Sequence, residues 1–446
     1  MANSRKSKSA DLSGRIAALL APLLPARSSI LVGLSGGVDS VALLHLLHDL
    51  APRFSWKLSA LHVHHGISPN ADAWAEFCSL LCAHLNIPLT IERVDIAPLR
   101  AGHGIEAAAR KLRHEALTCR SCDFVALAHH ADDQAETLLL QLLRGAGVKG
   151  AAAMPVLSHG AAPALVRPLL HASRQEILDY AVAHGLKWIE DESNADDSYP
   201  RNFLRHRVLP LLGQRFPACR DTLARSALHF AEASELLDEL AQQDAAQAMH
   251  ADSLDVSALS ALGAARARNL LRYFLHCQGG AMPQAVQLDE MLRQLCEARR
   301  DAAVCVKFGG WQLRRYRGRA YALPALGGFD RALVLPWNGE NELAWPALNG
   351  QVRFERVQGA GISLAKLRRA PVALRLRGGG ETLRPHLRAV ARSLKNLLQE
   401  HEVPPWRRER LPLLYCGGEL VCVTGVAVAA EYQAGPQEIG LVLSLE

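Results

Sequence analysis

The sequence predicts an α/β protein: a parallel twisted sheet with helices on both faces, followed by a helical domain and a small α+β C-terminal domain. Three observations predict it. Through the first half, short apolar runs of strand period alternate with amphipathic runs of helical period. From about Cys219 the helical period takes over. After the turn-rich Pro336-Trp337-Asn338-Gly339, short strands and one basic helix replace it. The expected domains are residues 1–215, 216–335 and 345–446, and a chain of 446 residues gives each enough length to bury a core.

In order, "ILVGL" (residues 30–34) reads as a strand and Val41–Leu50 as a helix. "KLSALHVHH" is a second strand, followed by a helix from about Asn70 to Leu85. "LTIERVDI" is a third strand, "GIEAAARKLRHEALTC" a helix, "FVALAHH" a strand, and "AETLLLQLLRG" a helix stopped by Gly145. "LKWI" (residues 186–189) is strand-like. In the middle part, "RDTLARSALHFAEASELLDELAQQDAAQAM" is one long amphipathic helix, with two more helices and a short β-like stretch behind it. In the tail, "LRAVARSLKNLLQEH" reads as an amphipathic helix, with Leu387, Val390, Leu394 and Leu397 on one stripe and Arg388, Arg392 and Lys395 on another. "LPLLYC" and "ELVCVTGVAV" close the chain as strands.

Composition narrows the classes. The formal charge of +6 permits a polyanionic partner such as RNA without requiring one. The first residues are polar and basic with no apolar run behind them, and nothing approaches the ~20 apolar residues of a membrane span, so a cytoplasmic protein is expected. Ten cysteines in this length do not make a disulfide scaffold. Cys78 and Cys82 fall one turn apart on the apolar stripe of a helix and read as core residues. Cys119-x-x-Cys122, at a helix end, keeps a metal site open.

Two loops follow strand ends and so face the crevice where such sheets bind ligands. In Ser35-Gly36-Gly37-Val38-Asp39-Ser40, the glycines let backbone approach a ligand and the following helix aims its N-terminus there. Successive N–H groups with the Ser35 and Ser40 hydroxyls make a nest for phosphate oxygens. The loop has no lysine and fails the G-x-x-x-x-G-K-[ST] pattern, which disfavours γ-phosphate transfer. In "AHHADDQAET" (residues 128–137), Asp133 and Glu136 fit a capping box with the aspartate at N-cap. That leaves His129, His130 and Asp132 unexplained, and three acids beside two histidines suit Mg²⁺ or a substrate ammonium. A third stretch, residues 188–205, crowds Glu190, Asp191, Asn194, Arg201, Asn202 and Arg205 together.

SGGVDS after a strand resembles the signature of the ATP pyrophosphatase (PP-loop) superfamily, whose members cleave ATP to AMP and pyrophosphate. With "VHHGI", "GIEAAAR", "AHHADDQAET", "RPLL" and "WIEDESNADDSYPRNFLR" in this order, the first half resembles bacterial tRNA(Ile)-lysidine synthetases. "GGGETLRPH" and "LKNLLQEHEVPPWRRERLPLLY" resemble that family's C-terminal domain. The resemblance implies ATP with Mg²⁺, a tRNA(Ile) with a CAU anticodon, and free L-lysine. O2 of the wobble cytidine is adenylated, then the lysine ε-amine attacks C2 and expels AMP. It implies Asp39 at the metal; Asp132, Asp133 and Glu136 for the ammonium and metal; Arg110 against ATP or the adenylate; Asn194, Arg201 and Arg205 over the reacting base; and His65 near the adenine. For tRNA binding, Arg384, Arg388, Arg392, Lys395, Arg407 and Arg408 supply dense positive charge beside Trp406. A tRNA thiolation enzyme and a small-molecule synthetase of the same superfamily are the alternatives, and monomer or homodimer stays open.

Overall fold

The computed structural model describes residues 3–66, 68–95, 105–158, 163–190, 196–299, 302–387 and 390–445, without the side chains of 3–11 and 105–108. The chain forms two units, Met1–Glu239 and Leu240–Glu446.

The first unit is built on six strands: β1 (Ser29–Gly33), β2 (Lys57–His64), β3 (Leu89–Arg93), β4 (Phe124–Ala126), β5 (Leu157–Ser158) and β6 (Ala164–Val166). Their order is β3-β2-β1-β4-β6-β5, parallel except for the β5–β6 pair. β1 shows why both faces must be covered. Ile30 and Val32 join one core with Val41, Leu44 and Leu47 of the helix Val38–Phe54. Leu31 points the other way and packs with Ala116 and Leu117 of the helix Ile105–Thr118. That alternation within an all-apolar strand is the signature of a doubly covered sheet.

From β1 the chain steps out to β2 and β3, then returns to the far side of β1 for β4 and β6. The carboxyl ends of β1 and β4 therefore flank the topological switch point, where a crevice opens. An N-terminal helix, Asn3–Leu20, was not read from the sequence; Leu12, Ile16 and Leu20, four apart, are buried in the core beside β1. β6 was also not read, because three residues are too short to show a period.

In the second unit, helices Val256–Ala261, Ala264–Cys277 and Ala285–Glu297 share a core with a five-stranded antiparallel sheet spanning Met249–Pro324. A further core gathers Trp345, Leu374, Leu397 and Val421 among two antiparallel sheets. The tail helix is shorter than its sequence pattern. It runs Leu394–Glu400, because Ser393 caps it through the Asn396 N–H at 3.3 Å and Arg392–Ser393 pairs with Thr382–Leu383 as a strand. Leu387 and Val390 consequently stand exposed instead of joining the apolar stripe. No helix among the described residues is long and apolar enough to cross a membrane.

Candidate active site

The loop after β1 is shaped by one residue. Gly36 holds φ at +90°, and a Cβ there would lie 2.7 Å from Ile189 Cδ1. Its carbonyl accepts the Ile189 N–H at 2.9 Å. "LKWI" is thus not a strand: Ile189 spends its N–H on the loop rather than on a sheet neighbour, and its side chain lies against Gly36. The two serines brace the turn. Ser40 Oγ accepts from the Ser35 N–H at 3.2 Å and donates to the Gly37 carbonyl at 2.9 Å, with the two hydroxyls 3.1 Å apart. The helix starts at Val38, with Gly37 as N-cap and no side chain capping it. Its first amides are left to a ligand.

Asp39 lies in the first turn of that helix. Its Oδ2 is 3.7 Å from His130 Nε2, while Oδ1 is buried with no hydrogen-bond partner. Burial pushes the Asp39 carboxyl above its ordinary value, against the pull of His130 and with a further push from Asp133. A buried carboxylate oxygen lacking a donor fits a cation.

The loop after β4 corrects the helix register read from the sequence. The helix is Ala131–Leu143, with His130 at N-cap and Asp133 at N3; the Asp133 carboxylate accepts the His130 N–H at 3.0 Å. The box is shifted three residues because His130, not Asp133, carries the extended backbone of a cap. Glu136 is therefore free of any capping duty. It is 1% exposed and gripped by two arginines. Arg201 Nε donates to it at 2.7 Å, and Arg205 reaches both its oxygens at 2.6 and 3.0 Å. The same guanidiniums reach Asp133 Oδ1 at 2.9 and 3.2 Å. Burial pushes the Asp133 carboxyl up, but His130, Arg201 and His129 outweigh it and hold the group low.

The two arginines are four apart across a helical segment, Pro200–Phe203, whose next five residues (Leu204–Val208) form a π-turn. Such insertions often mark functional sites. Asp132 faces elsewhere: it accepts the Arg174 N–H at 3.1 Å and pairs with Arg220 at 3.2 Å. The three acids thus divide into a clamped pair, Asp133 with Glu136, and a separate residue. His130 joins them: its Nε2 lies 3.7 Å from Asp39 Oδ2 and 3.5 Å from Asp133 Oδ2, while its Nδ1 lies 4.0 Å from Asp132 Oδ1. As metal ligands, Asp39 offers an unpartnered Oδ1, whereas both Glu136 oxygens accept from guanidinium and Asp133 is engaged at Oδ1 by the arginines and at Oδ2 by the His130 N–H. Among the described residues no group of three or more His, Cys, Asp and Glu is arranged as a metal centre.

Other expected residues fall as follows. Arg110 is exposed on the helix Ile105–Thr118, and its charge reaches His129 and Arg167. His65 Nε2 is 3.1 Å from Arg113. Asn194 and Arg388 lie outside the described residues. Arg384 pairs with Glu431, and Arg392 with Glu400 at 2.6 Å; Lys395 is exposed. Arg407 pairs with Asp252, and Arg408 donates to the Val403 carbonyl and the Tyr316 hydroxyl, both at 2.7 Å. Trp406, half-buried, packs edge-on against Tyr316 and Tyr321. Cys78 is core, its thiol pushed up to about 12 by burial. The sequence reading missed Arg167, at the end of β6, and Arg220; "RPLL" held the signal for the first, and a lone arginine in a long helix gave none for the second.

A lysine-free phosphate loop facing an acid helix across the switch point is the arrangement of a PP-loop nucleotide-activating enzyme, and residues 9–212 match the PP-loop domain family. Residues 254–321 match the TilS substrate binding domain and 372–445 the TilS substrate C-terminal domain. The tRNA(Ile)-lysidine synthase of Nitrosomonas europaea is 45% identical over 416 residues, 93% of this chain and 91% of that protein. That of Aromatoleum aromaticum is 46% identical over 429 residues, 96% and 99%. The chain belongs to the tRNA(Ile)-lysidine synthase family.

Proposed function

We propose that this protein is a cytoplasmic ligase that converts the wobble cytidine of a CAU-anticodon tRNA(Ile) to lysidine, using ATP and free L-lysine. The meeting of the phosphate loop and the clamped carboxylates at His130 supports the reading, because it brings the free amides of a helix start beside buried carboxylates of the kind an ammonium group pairs with. The cytosine C2 carbonyl is a poor electrophile. Attack of O2 on the α-phosphate of ATP releases pyrophosphate and makes AMP the leaving group. The Ser35–Ser40 amides and hydroxyls hold the departing pyrophosphate. Mg²⁺, when bound at Asp39, would offset the charge on those phosphates.

The second substrate has the opposite difficulty. A lysine amine has a pKa of ~10.4 in water and must lose a proton before it attacks. Asp133 and Glu136 take the ammonium as Arg201 and Arg205 turn from them toward the anionic adenylate, and a carboxylate so released accepts the proton. The amine then bonds to C2, and the C2–O bond breaks to expel AMP. The C-terminal domain positions the tRNA backbone, with the exposed Lys395 as a phosphate contact; Arg384 and Arg392 join it only by giving up Glu431 and Glu400.

The test is incorporation of radiolabelled lysine into unmodified CAU-anticodon tRNA(Ile) with Mg²⁺-ATP. ATP-dependent label that survives mild base, which strips aminoacyl esters, is expected. AMP release without label would keep the nucleotide chemistry and overturn the lysine assignment.

A further inference from the structure

Arg167 follows β6 directly, at the carboxyl edge of the sheet, and is 9% exposed. Its Nη1 donates to the Pro155 carbonyl at 2.9 Å and the Ser158 hydroxyl at 3.0 Å, while its Nε is buried with no acceptor. Among the described residues no carboxylate pairs with it; the charge it senses is that of Arg110, a second cation. A buried guanidinium beside another positive group and without a counter-ion is costly to keep. Next to it, on the loop after β4, His129 buries an Nδ1 that also lacks a partner. Burial, with Arg167, Arg201 and Arg110 against Asp133, pushes that imidazole down to about 4. The ring is neutral at pH 7, so it presents one N–H donor and cannot be repelled by an anion as a carboxylate would be.

We propose that Arg167, with His129 and Arg110, forms an oxyanion subsite that receives the α-carboxylate of the amino-acid substrate. The inference rests on the lysine reading above. Strand order supports the carboxylate over a phosphate. The phosphate loop follows β1, the clamped acids follow β4, and Arg167 follows β6, so Arg167 stands two strands from the phosphate loop, roughly 10 Å away across the sheet. The middle position takes an ammonium and the outer one an anion. The clamped acids and Arg167 follow adjacent strands, about 5 Å apart at the sheet edge, and a free amino acid with a long cationic side chain carries an ammonium and a carboxylate far enough apart to reach both. Guanidinium is the group suited to a planar carboxylate.

The experiment compares kcat/KM for lysine and for lysinamide, which keeps both amines but lacks the carboxylate, in the full-length enzyme with tRNA and ATP. Wild type should favour lysine by roughly thirtyfold or more. In Arg167→Gln the lysine value should fall by about that factor while the lysinamide value changes less than about threefold, and Arg167→Lys should recover part of the difference. His129→Ala, which keeps the Pro155 and Ser158 contacts, should reduce discrimination more mildly. Affinity for a nonhydrolysable ATP analogue, measured by calorimetry on the same proteins, separates the sources. A nucleotide affinity that falls in Arg167→Gln with discrimination intact would reassign the subsite to a phosphate and overturn the carboxylate proposal. Unchanged discrimination and nucleotide affinity, with only the melting temperature lowered, would make Arg167 a structural side chain. If wild type incorporates neither amine, the lysine reading fails. The oxyanion subsite is then judged by calorimetry alone, and an unaltered nucleotide affinity sinks it too.

Discussion

At the scale of single residues, the site separates groups that serve stability from groups that strain it. Asp39 keeps an orphaned carboxylate oxygen in a buried turn. Asp39→Asn should abolish tRNA-dependent ATP–pyrophosphate exchange by a factor of about 10²–10³. Thermal melts should meanwhile show no loss of stability, since a buried charge that its surroundings disfavour is removed. Glu136 is the reverse case. Glu136→Ala leaves two partly buried arginines with Asp133 Oδ1 in place of the two carboxylates they shared, and urea unfolding should show a loss on the order of 3 kcal/mol. Glu136→Gln should lose less.

His129 gives a pH signature. Its folded-state value of about 4 lies below the ordinary 6.5, so between those limits the unfolded chain binds more protons and stability falls as pH drops. The full effect, no more than about 3 kcal/mol, is reached below pH 4. His62, also pushed down by burial, adds in the same direction, whereas Asp39, pushed up by burial, opposes it. Urea midpoints measured from pH 7 to 4 should decline less steeply in His129→Gln than in wild type.

At the scale of elements, the turn at Gly36 concentrates the constraint. Gly36→Ala puts a side chain at φ +90° and 2.7 Å from Ile189 Cδ1. A cost of about 1–3 kcal/mol is expected from the backbone alone, with loss of exchange activity. Ile189→Ala should rescue part of it, and a double-mutant cycle would measure how much of the cost is contact rather than strain. Legibility also varied by element. The phosphate loop and its helix were readable because a strand, a glycine pair and an apolar helix each carry a local signal. The Asp133 cap was misplaced because histidine is a weak cap by propensity, yet it is His130 that carries the extended backbone of the cap. Arg201 and Arg205 stood out by density, but their grip on Glu136 joins residues 65 and 69 positions apart, beyond any local period.

At the scale of the molecule, the basic tail is less available than its composition implied. Arg384, Arg392 and Arg407 each have an acidic partner, and Arg408 ties the short helix Pro405–Arg408 to Tyr316 within the second unit. Counting arginines read the charge but not its pairing, which only the tertiary structure assigns. Lys395→Glu should therefore weaken tRNA binding severalfold and flatten its salt dependence by about one unit of slope, with melting unchanged. Arg408→Ala should lower the melting temperature, and filter binding across a salt series should show its slope unaltered.

The clamp on Asp133 and Glu136 has a thermodynamic corollary. At rest the cleft is an internal salt of two carboxylates and two guanidiniums. On the reading proposed above, the substrates would arrive as an anion and a cation, and their joint binding would be an exchange of ions: nucleotide would draw off the guanidiniums and lysine would inherit the carboxylates. Either ligand alone must break the salt unaided, and the two share that cost when they come together. Linkage then requires each to tighten the other by the same factor, a reciprocity that paired titrations would read directly.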